Sequence, residues 1–380
     1  MLHLDRCAFT VSGVNVSLRE ALSFAMIARL TEPWEDEVLY VETAVAEAQR
    51  PEAQRPEATA LSSANAHSRF KPTAPSQAEV QARFNAWRKT MNLISADELG
   101  AWLEQHGLSL LDMQHYLTDL CLFEAMAEAQ EALVVAEEAP RDPVATAQKT
   151  ALYLLCSGQL PQVLEQVALR MRLGLQPCNK ERHRAFLKRY ADPKSSYGWG
   201  LRLAQGLGTS APLVQWLAGL DAAYYLQVED RTRPEALQKA MAMNPASFDA
   251  TEWVCTRWES ANQAAEALRY LEGAGARGPR RWLEALATAQ QRPFWRESHA
   301  VGEAAKKYAQ SRVHGLREGE VLPPQRDPEG FVVRQLVKRT PSHQGAASTL
   351  QAVQRWIVTE QLRSEALAHV SFSPWVSAAA

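Results

Sequence analysis

The stretch from Trp87 to Leu117 reads WRKTMNLISADELGAWLEQHGLSLLDMQHYL, and it decides the expected architecture of the first third of the chain. Ser95 and Glu98 form a capping box, in which the serine hydroxyl accepts from a backbone N–H and the glutamate reaches back. Gly107 can end that helix in the left-handed conformation, and Ser109 begins the next one. The stretch therefore predicts a helix, a tight turn and a second helix.

Apolar residues recur at helical spacing on both sides of this stretch. They are Val80, Phe84, Trp87 and Met91 before the first capping box, and Met113, Tyr116, Leu117, Leu120 and Phe123 after the turn. Each set lines one face of a helix, so we expect two long helices and a short one to share a core.

The chain begins with a strand pair. Residues 9–11 and 14–16 alternate between apolar and polar around a Ser12-Gly13 turn, which is typical of a hairpin. Ser17 and Glu20 form a second capping box, which predicts a helix directly after the hairpin.

Alternation and spacing predict the remaining elements. Residues 144–223 and most of 258–313 have helical patterns, whereas Tyr224–Glu229 and Gly330–Arg339 alternate like strands. Thr349–His369 has the spacing of a closing amphipathic helix. We therefore expect a mainly α protein with a small β component.

The composition is that of an ordinary globular chain. Its 380 residues carry 41 Lys+Arg against 43 Asp+Glu, which gives a formal net charge of -2. Nucleic-acid binding normally needs a basic face, so we expect no nucleic-acid partner. The N-terminus lacks a signal-peptide pattern, and no stretch approaches the ~20 apolar residues of a membrane helix. We expect a cytoplasmic protein without membrane contact.

The residue pattern predicts no metal or cofactor site. The five cysteines are far apart and form no C-x-x-C pair. Cys178 and His183 stand in a C-x4-H arrangement, but structural zinc needs about four ligands and no second pair is near in sequence. The glycines near residue 200 match neither of the nucleotide-binding motifs G-x-G-x-x-G and G-x-x-x-x-G-K-[ST].

The segment 178–194 is basic. Its cations are Lys180, Arg182, Arg184, Lys188, Arg189 and Lys194. Only Glu181 and Asp192 oppose them, which leaves a local net charge of +4. One interpretation is a solvated helix face. The other is a docking site for an acidic peptide, because opposite charge steers encounter.

The candidate peptide-binding residues are five of these cations and four aromatic residues. The cations are Lys180, Arg182, Arg184, Lys188 and Arg189. Tyr197 and Trp199 lie among glycines at 198, 200, 206 and 208, and Tyr225 and Phe331 lie in the two predicted strands. The glycines are interpreted either as turns beside core aromatics or as walls of a peptide groove. An exposed sheet edge is another place where a peptide strand can add.

The order of the N-terminal elements resembles the N-terminal helical domain of SurA-like chaperones, over about residues 8–130. In that family a short strand pair precedes a long helix, and a helix pair joined by a G-L-[ST] turn follows. The matching residues are Trp87, Leu93, Trp102, Leu103, Gly107, Leu108, Ser109, Met113, Tyr116 and Leu117.

The far end resembles a parvulin-type (PpiC-type) prolyl isomerase domain. Residues 316–323, LREGEVLP, and the following Gly330–Val333 look like its last strand region. Upstream, residues 224–228 resemble its first strand and residues 235–243 its first helix. Residues 247–250, SFDA, resemble the F-x-x-[LA]-A motif near the start of a parvulin fold. The two histidine positions of active parvulins align with Tyr225 and Val332. The resemblance therefore implies a degenerate domain with no catalytic residues.

These resemblances imply a mainly α fold in which a SurA-like helical module is built from both termini and a degenerate parvulin-like α+β unit is added. The expected segments are a SurA-like domain at 1–135 with a flexible insert at 47–78, a helical middle segment at 144–222, a degenerate parvulin-like domain at 223–340, and a C-terminal helix at 345–380 that returns to the first domain. The insert is expected because its Ala, Pro, Ser and Gln bury little apolar surface.

The whole chain resembles SurA/parvulin-like proteins of bacterial peptide-maturation gene clusters, which accompany enzymes that modify ribosomally made precursor peptides. The resemblance implies an accessory, chaperone-like protein that binds a precursor peptide and presents it to a cluster-encoded modifying enzyme. If the basic segment is a docking site, the part of the peptide that it binds is an acidic leader. Two alternatives stay open: a prolyl isomerase or other peptide-modifying enzyme, and an obligate subunit of one.

Overall fold

The computed structural model describes residues 2–49, 75–128, 142–190, 192, 195–243, 248–273, 282–299, 316–341 and 347–377. The fold is mainly α with two small antiparallel sheets, which confirms the predicted fold class. Contacts group the chain into two compact units, Met1–Gln227 with Glu365–Ala380, and Val228–Ser364. Within the described ranges, no helix is both long and apolar enough to cross a bilayer.

The first unit begins with the predicted hairpin. Strands β1 (Cys7–Val11) and β2 (Val14–Ser17) pair across Ser12 and Gly13, which both have positive φ, as tight hairpin turns require. The Ser17 capping box then starts helix α1 (Leu18–Ile27), as predicted.

Helices build the rest of this unit. They are α2 (Glu32–Gln49), α3 (Gln77–Thr90), α4 (Ala96–His106), α5 (Leu110–Glu128), α6 (Pro143–Cys156), α7 (Leu160–Gly174), α8 (Lys180–Leu187), α9 (Ser196–Gly206) and α10 (Ala211–Arg231). The Ser95 capping box starts α4 and Gly107 ends it with φ 66°. Both features of the Trp87–Leu117 stretch are therefore confirmed.

Two apolar clusters hold these helices. One contains Trp87, Leu103, Met113 and Leu117 from the predicted helical faces of α3, α4 and α5. The indole Nε1 of Trp87 donates to the carbonyl of Cys156, 2.7 Å away, and so joins α3 to the end of α6. The other cluster joins the hairpin, α1, α6, α7, α9 and α10.

The glycines near residue 200 are helical rather than turns, apart from Gly208, whose φ is +86°. A Cβ added to Gly200 would lie 2.5 Å from the carbonyl oxygen of Met26, and one on Gly206 would lie 2.5 Å from that of Pro143. These glycines let α9 approach α1 and α6 closely. Gly200 and Gly206, which were predicted as turns or groove walls, therefore lie at helix crossings.

The C-terminus completes the first sheet. Strand β7 (Val370–Phe372) pairs with β1, giving the strand order β2-β1-β7. Trp375, in the terminal helical turn (Pro374–Ser377), donates from its indole Nε1 to the carbonyl of Cys7 at 2.8 Å. The last residues thus return to the N-terminal hairpin.

The predicted closing helix at Thr349–His369 is interrupted. Helix α14 (Ala347–Trp356) runs into a π-turn (Ile357–Gln361) and then into α15 (Leu362–Leu367). Residues up to Ser364 group with the second unit, and only those from Glu365 group with the first.

The second unit is built on a four-stranded antiparallel sheet. Its helices are α11 (Pro234–Met243), α12 (Ala261–Gly273) and α13 (Trp282–Ala289), besides α14, and its strands are β3 (Ala250–Trp258), β4 (Phe294–His299), β5 (Val321–Asp327) and β6 (Gly330–Thr340). The strand order is β4-β3-β6-β5.

Val254, Trp258 and Val333 pack with α12 and α13 on one face of this sheet. The predicted strand at Gly330–Arg339 is confirmed, whereas β3 and β4 were missed.

The strand predicted at Tyr224–Glu229 is wrong, because these residues continue helix α10. Val214, Leu217 and Asp221 are buried at helical spacing, and Tyr224 follows on the same face. Neither glycine nor proline interrupts the run from Leu220 to Arg233. Six alternating residues are too short a pattern to outweigh that continuing helical face.

The predicted flexible insert at 47–78 is too long at both ends. Helix α2 continues to Gln49 and α3 begins at Gln77, where Ser76 and Glu79 form a capping box that was not foreseen. The rest of the insert, 50–74, lies outside the described residues.

Gly200→Ala should destabilise the protein by about 2 kcal/mol or more, because the added methyl group meets the backbone of α1. Gly100→Ala in α4 is the matched control, since nothing lies within 4 Å of its added Cβ. That variant should gain about 0.5–1 kcal/mol from helix propensity. Urea unfolding checks both, and equal effects would contradict the close crossing.

Candidate peptide-binding surface

The basic segment forms helix α8 and a following 3-10 turn (Lys188–Tyr190). Asn179 caps the helix, since its side-chain oxygen accepts from the N–H groups of Glu181 and Arg182, both at 3.0 Å. His183 Nε2 donates to the carbonyl of Gly219 at 2.8 Å and ties α8 to α10. The described residues contain no cluster of three potential metal ligands.

Five cations lie along this helix and turn. Lys180, Arg184, Lys188 and Arg189 are exposed, and Arg182 is half-buried. None of the four exposed cations forms an ion pair with any residue that the structure describes. Glu181 is the one carboxylate within the helix, and Lys194 lies outside the described residues.

Aromatic rings adjoin the cations. The Arg189 guanidinium lies 4.2 Å from the ring centre of Phe186, a cation–π contact. Phe186 stacks on Tyr225 of α10 with centroids 5.3 Å apart, and Tyr190 contacts Tyr197 at 4.9 Å. We call Lys180, Arg184, Lys188 and Arg189, with Phe186, Tyr197 and Tyr225, the basic–aromatic surface.

A buried ion pair lies beneath this surface. Arg170 of α7 donates from one guanidinium nitrogen to Asp221 of α10 at 3.4 Å, and the Tyr190 hydroxyl donates to the other carboxylate oxygen at 2.6 Å. The same guanidinium nitrogen also lies within hydrogen-bond distance of the Tyr225 hydroxyl and the Ala28 carbonyl. One charged pair therefore joins α1, α7, α10 and the 3-10 turn.

Burial sets the titration of this cluster. It raises the pKa of the Asp221 carboxyl, while the hydrogen bond from Tyr190 and the charge of Arg170 oppose that shift. Burial also raises the pKa of Tyr225 to about 12, against the opposing effect of Arg170. The Tyr225 hydroxyl therefore keeps its proton at neutral pH.

The structure divides the predicted site residues. It brings Arg184, Lys188, Arg189, Tyr197 and Tyr225 to one region of the first unit, together with Lys180 and Arg182. Tyr225 lies there on a helix, not on the predicted strand.

Two predicted site residues lie elsewhere. Trp199 is buried in the core, 8 % exposed, with the Arg202 guanidinium 5.0 Å from its ring centre. It is a packing residue rather than part of an exposed peptide site. Phe331 belongs to strand β6 of the second unit, where it pairs with Trp258 and Arg326.

Four residues of this region were not among the predicted site residues: Arg170, Phe186, Tyr190 and Asp221. A signal for Asp221 exists: it is the one carboxylate in the apolar run LAGLDAAYYL, and a carboxylate on a buried helix face needs a partner. The partner itself has no sequence signal, because Arg170 lies 51 positions earlier, in α7, two residues from another arginine, Arg172.

A second surface feature lies elsewhere in the same unit. A groove of about 640 Å³ runs between α3 and α5, with Val80, Phe84 and Leu117 among its apolar lining residues. Gln77, Gln81 and Gln114 supply its amides, and the described lining residues include no charged side chain. The groove lacks the charge that distinguishes the basic–aromatic surface.

Comparison with known proteins gives one distant likeness. No family model and no curated protein matches the chain. A solved structure, the peptidylprolyl isomerase PrsA from Bacillus anthracis, matches at 9% identity and a TM-score of 0.28. The match covers 55% of this chain and 96% of that one. A TM-score this low carries no argument about activity or partners.

Asp221→Ala should destabilise the protein by about 3–5 kcal/mol, because it leaves Arg170 charged and unpaired in the interior. Asp230→Ala on the same helix is the matched control: its carboxylate pairs with Arg233 at the surface, so the loss should be about 0–1 kcal/mol. Chemical unfolding measures both. Equal losses would mean that the buried pair does not hold these helices.

Proposed function

We propose that this protein binds an acidic segment of a peptide on the basic–aromatic surface. The observation that carries the proposal is a set of four exposed cations, which form no ion pair with any described residue, beside the stacked Phe186 and Tyr225 rings. A solvated helix usually intersperses charges of both signs, whereas here one sign dominates. An acidic partner supplies the missing counter-charges and increases the rate of encounter.

The spacing of the cations favours an extended partner. Lys180, Arg184 and Lys188 follow one another at intervals of four residues, which on a helix is a rise of about 6 Å each. Alternate residues of an extended strand are about 6.6–6.8 Å apart. A peptide with a carboxylate at every second position thus matches the row of cations.

The biological role that we propose is that of an accessory protein. It holds a ribosomally made precursor peptide, through an acidic leader, for a modifying enzyme encoded nearby. The support is the family resemblance of the sequence together with the charge of the surface. Val332, which aligns with one of the two histidine positions of active parvulins, is a buried apolar residue, and this supports a binding role over prolyl isomerisation.

A fluorescence titration with a short peptide of alternating glutamate and glycine tests the proposal. The wild-type protein should bind this peptide, and its glutamine counterpart should bind far more weakly. Lys188→Glu should weaken binding about tenfold, equivalent to 1.4 kcal/mol, because it turns an attraction into a repulsion. Added salt should weaken binding as well, since it screens exposed charges.

Lys89→Glu is the matched control, because Lys89 is also an exposed lysine near the end of a helix but lies in α3. Its affinity for the acidic peptide should equal that of the wild type. Equal weakening by both reversals, or equal binding of the glutamine peptide, would contradict the proposal. Gln114→Ala in the groove distinguishes the two surfaces and should leave binding unchanged.

A further inference from the structure

We propose that His106 makes the attachment of the C-terminal segment sensitive to pH. The C-terminal segment is Val370–Ser377, which runs from strand β7 through the terminal helical turn. It stays attached to the hairpin and to α4 while the His106 imidazole is neutral, and it detaches more readily once that ring is protonated. This inference is independent of the proposed function, because it involves none of the residues of the basic–aromatic surface.

A small set of contacts attaches the C-terminal segment to the hairpin. Strand β7 pairs with three residues of β1, from Phe9 to Val11. The hydroxyl of Ser373 and the indole Nε1 of Trp375 both donate to the carbonyl of Cys7, at 2.9 and 2.8 Å. Short terminal segments open locally at a lower free energy than the protein as a whole.

His106, the last residue of α4, contacts this segment. Its side chain is buried, 6 % exposed, and its ring centre lies 4.4 Å from that of Trp102 and 5.9 Å from that of Trp375. The side-chain amide of Gln105 donates to the Trp375 carbonyl at 3.4 Å. Trp375 thus covers part of the imidazole, and detachment of the segment exposes that part to water.

One hydrogen bond identifies the nitrogen that takes up the proton. His106 Nδ1 donates to the carbonyl of Trp102 at 2.8 Å, so Nδ1 carries the hydrogen of the neutral ring. Protonation therefore adds a hydrogen to Nε2. Among the residues that the structure describes, none accepts a hydrogen bond from Nε2. The charged ring would have a donor without a protein partner while the segment is attached.

Positive charges lie close to the imidazole. The Arg6 guanidinium lies 4.8 Å from the ring centre of Trp375 and donates to the carbonyl of Gln105 at 2.6 Å. The backbone N–H of His3 donates to the carbonyl of His106 at 3.4 Å, which brings a second basic residue to the same place. A protonated imidazole would be repelled by both side chains when they are charged.

The elements around the ring supply no compensating carboxylate. Asp5 of the N-terminal segment pairs with Arg19 at 2.9 Å. Asp112 is hydrogen-bonded within the capping turn of α5. Glu104 lies two positions away on α4, which is a different face of the helix. Neither β1 nor the C-terminal segment contains an acidic residue.

The direction of the pH effect follows from this environment. Burial lowers the pKa of the His106 imidazole, and the charges of Arg6 and His3 act in the same direction. The hydrogen bond to the Trp102 carbonyl opposes them. An imidazole released from these contacts has a pKa of about 6.5. Attachment is therefore most stable above that pH, and it weakens as the pH falls below it.

Hydrogen exchange of the full chain at about pH 7.5 and about pH 5, corrected for the intrinsic pH dependence of amide exchange, tests the proposal. The opening equilibrium of the amides in Val370–Ser377 should increase several-fold at the lower pH. Its upper limit is about 30-fold, which a released pKa of about 6.5 sets. His106→Phe keeps an aromatic ring that takes up no proton, so its C-terminal segment should open equally at both pH values.

His369→Gln is the matched control, because His369 is an exposed histidine directly before the C-terminal segment. This variant should show the same increase in opening as the wild type. Equal opening of the wild-type segment at both pH values, or an undiminished increase in His106→Phe, would overturn the proposal. So would an equal increase throughout the first unit, since the whole unit would then be opening.

Two further measurements complete the test. If His106→Phe does not fold, His106→Gln takes its place, and its segment should likewise open independently of pH. An NMR titration of the wild-type protein should give His106 a pKa below the usual value of about 6.5. A higher value, as would result if attraction to the two indole rings outweighed burial, would overturn the proposal.

Discussion

The first unit depends on one buried ion pair, between Arg170 and Asp221. Asp221 has no exposed side-chain surface, so its charge must be matched inside the protein. Arg170 and the Tyr190 hydroxyl supply that match and, in doing so, tie three helices and the 3-10 turn together. A buried pair contributes little net stability compared with well-packed apolar residues, but the loss of one partner costs several kcal/mol. The pair therefore restricts the helices to arrangements in which both charges are satisfied.

That restriction has a consequence at the surface. Tyr190 directly follows Lys188 and Arg189, and Tyr225 lies one turn beyond Asp221, so the buried network orients the backbone that carries the exposed cations and rings. The close approach of α9 to α1 at Gly200 adds a second constraint on the same core. A binding surface of long, mobile side chains gains selectivity when the helix that carries them is held rigidly.

Local features of the fold could be predicted from the sequence, and non-local ones could not. The capping boxes at Ser17 and Ser95 and the left-handed Gly107 involve residues a few positions apart, so their chemistry is visible in the sequence. The strand predicted at Tyr224–Glu229 is wrong because six alternating residues were taken as evidence of a strand. The residues before them already lie on a buried helix face, which continues through this stretch. The helix crossings of Gly200 and Gly206 depend on backbone approaches between distant segments. The candidate site was foreseen as a row of cations and a few aromatics, but its support by Arg170 and Asp221 joins residues 51 positions apart.

Hydrogen exchange of the full chain, with and without saturating alternating glutamate–glycine peptide, tests the central claim most directly. Bound peptide should slow exchange of the backbone amides in residues 180–190 and 216–227, because binding restrains the helices that carry the surface. Protection confined to the α3–α5 groove or to the edge strand Phe294–His299 would contradict the account. Unchanged exchange throughout the chain at saturating peptide would contradict it equally.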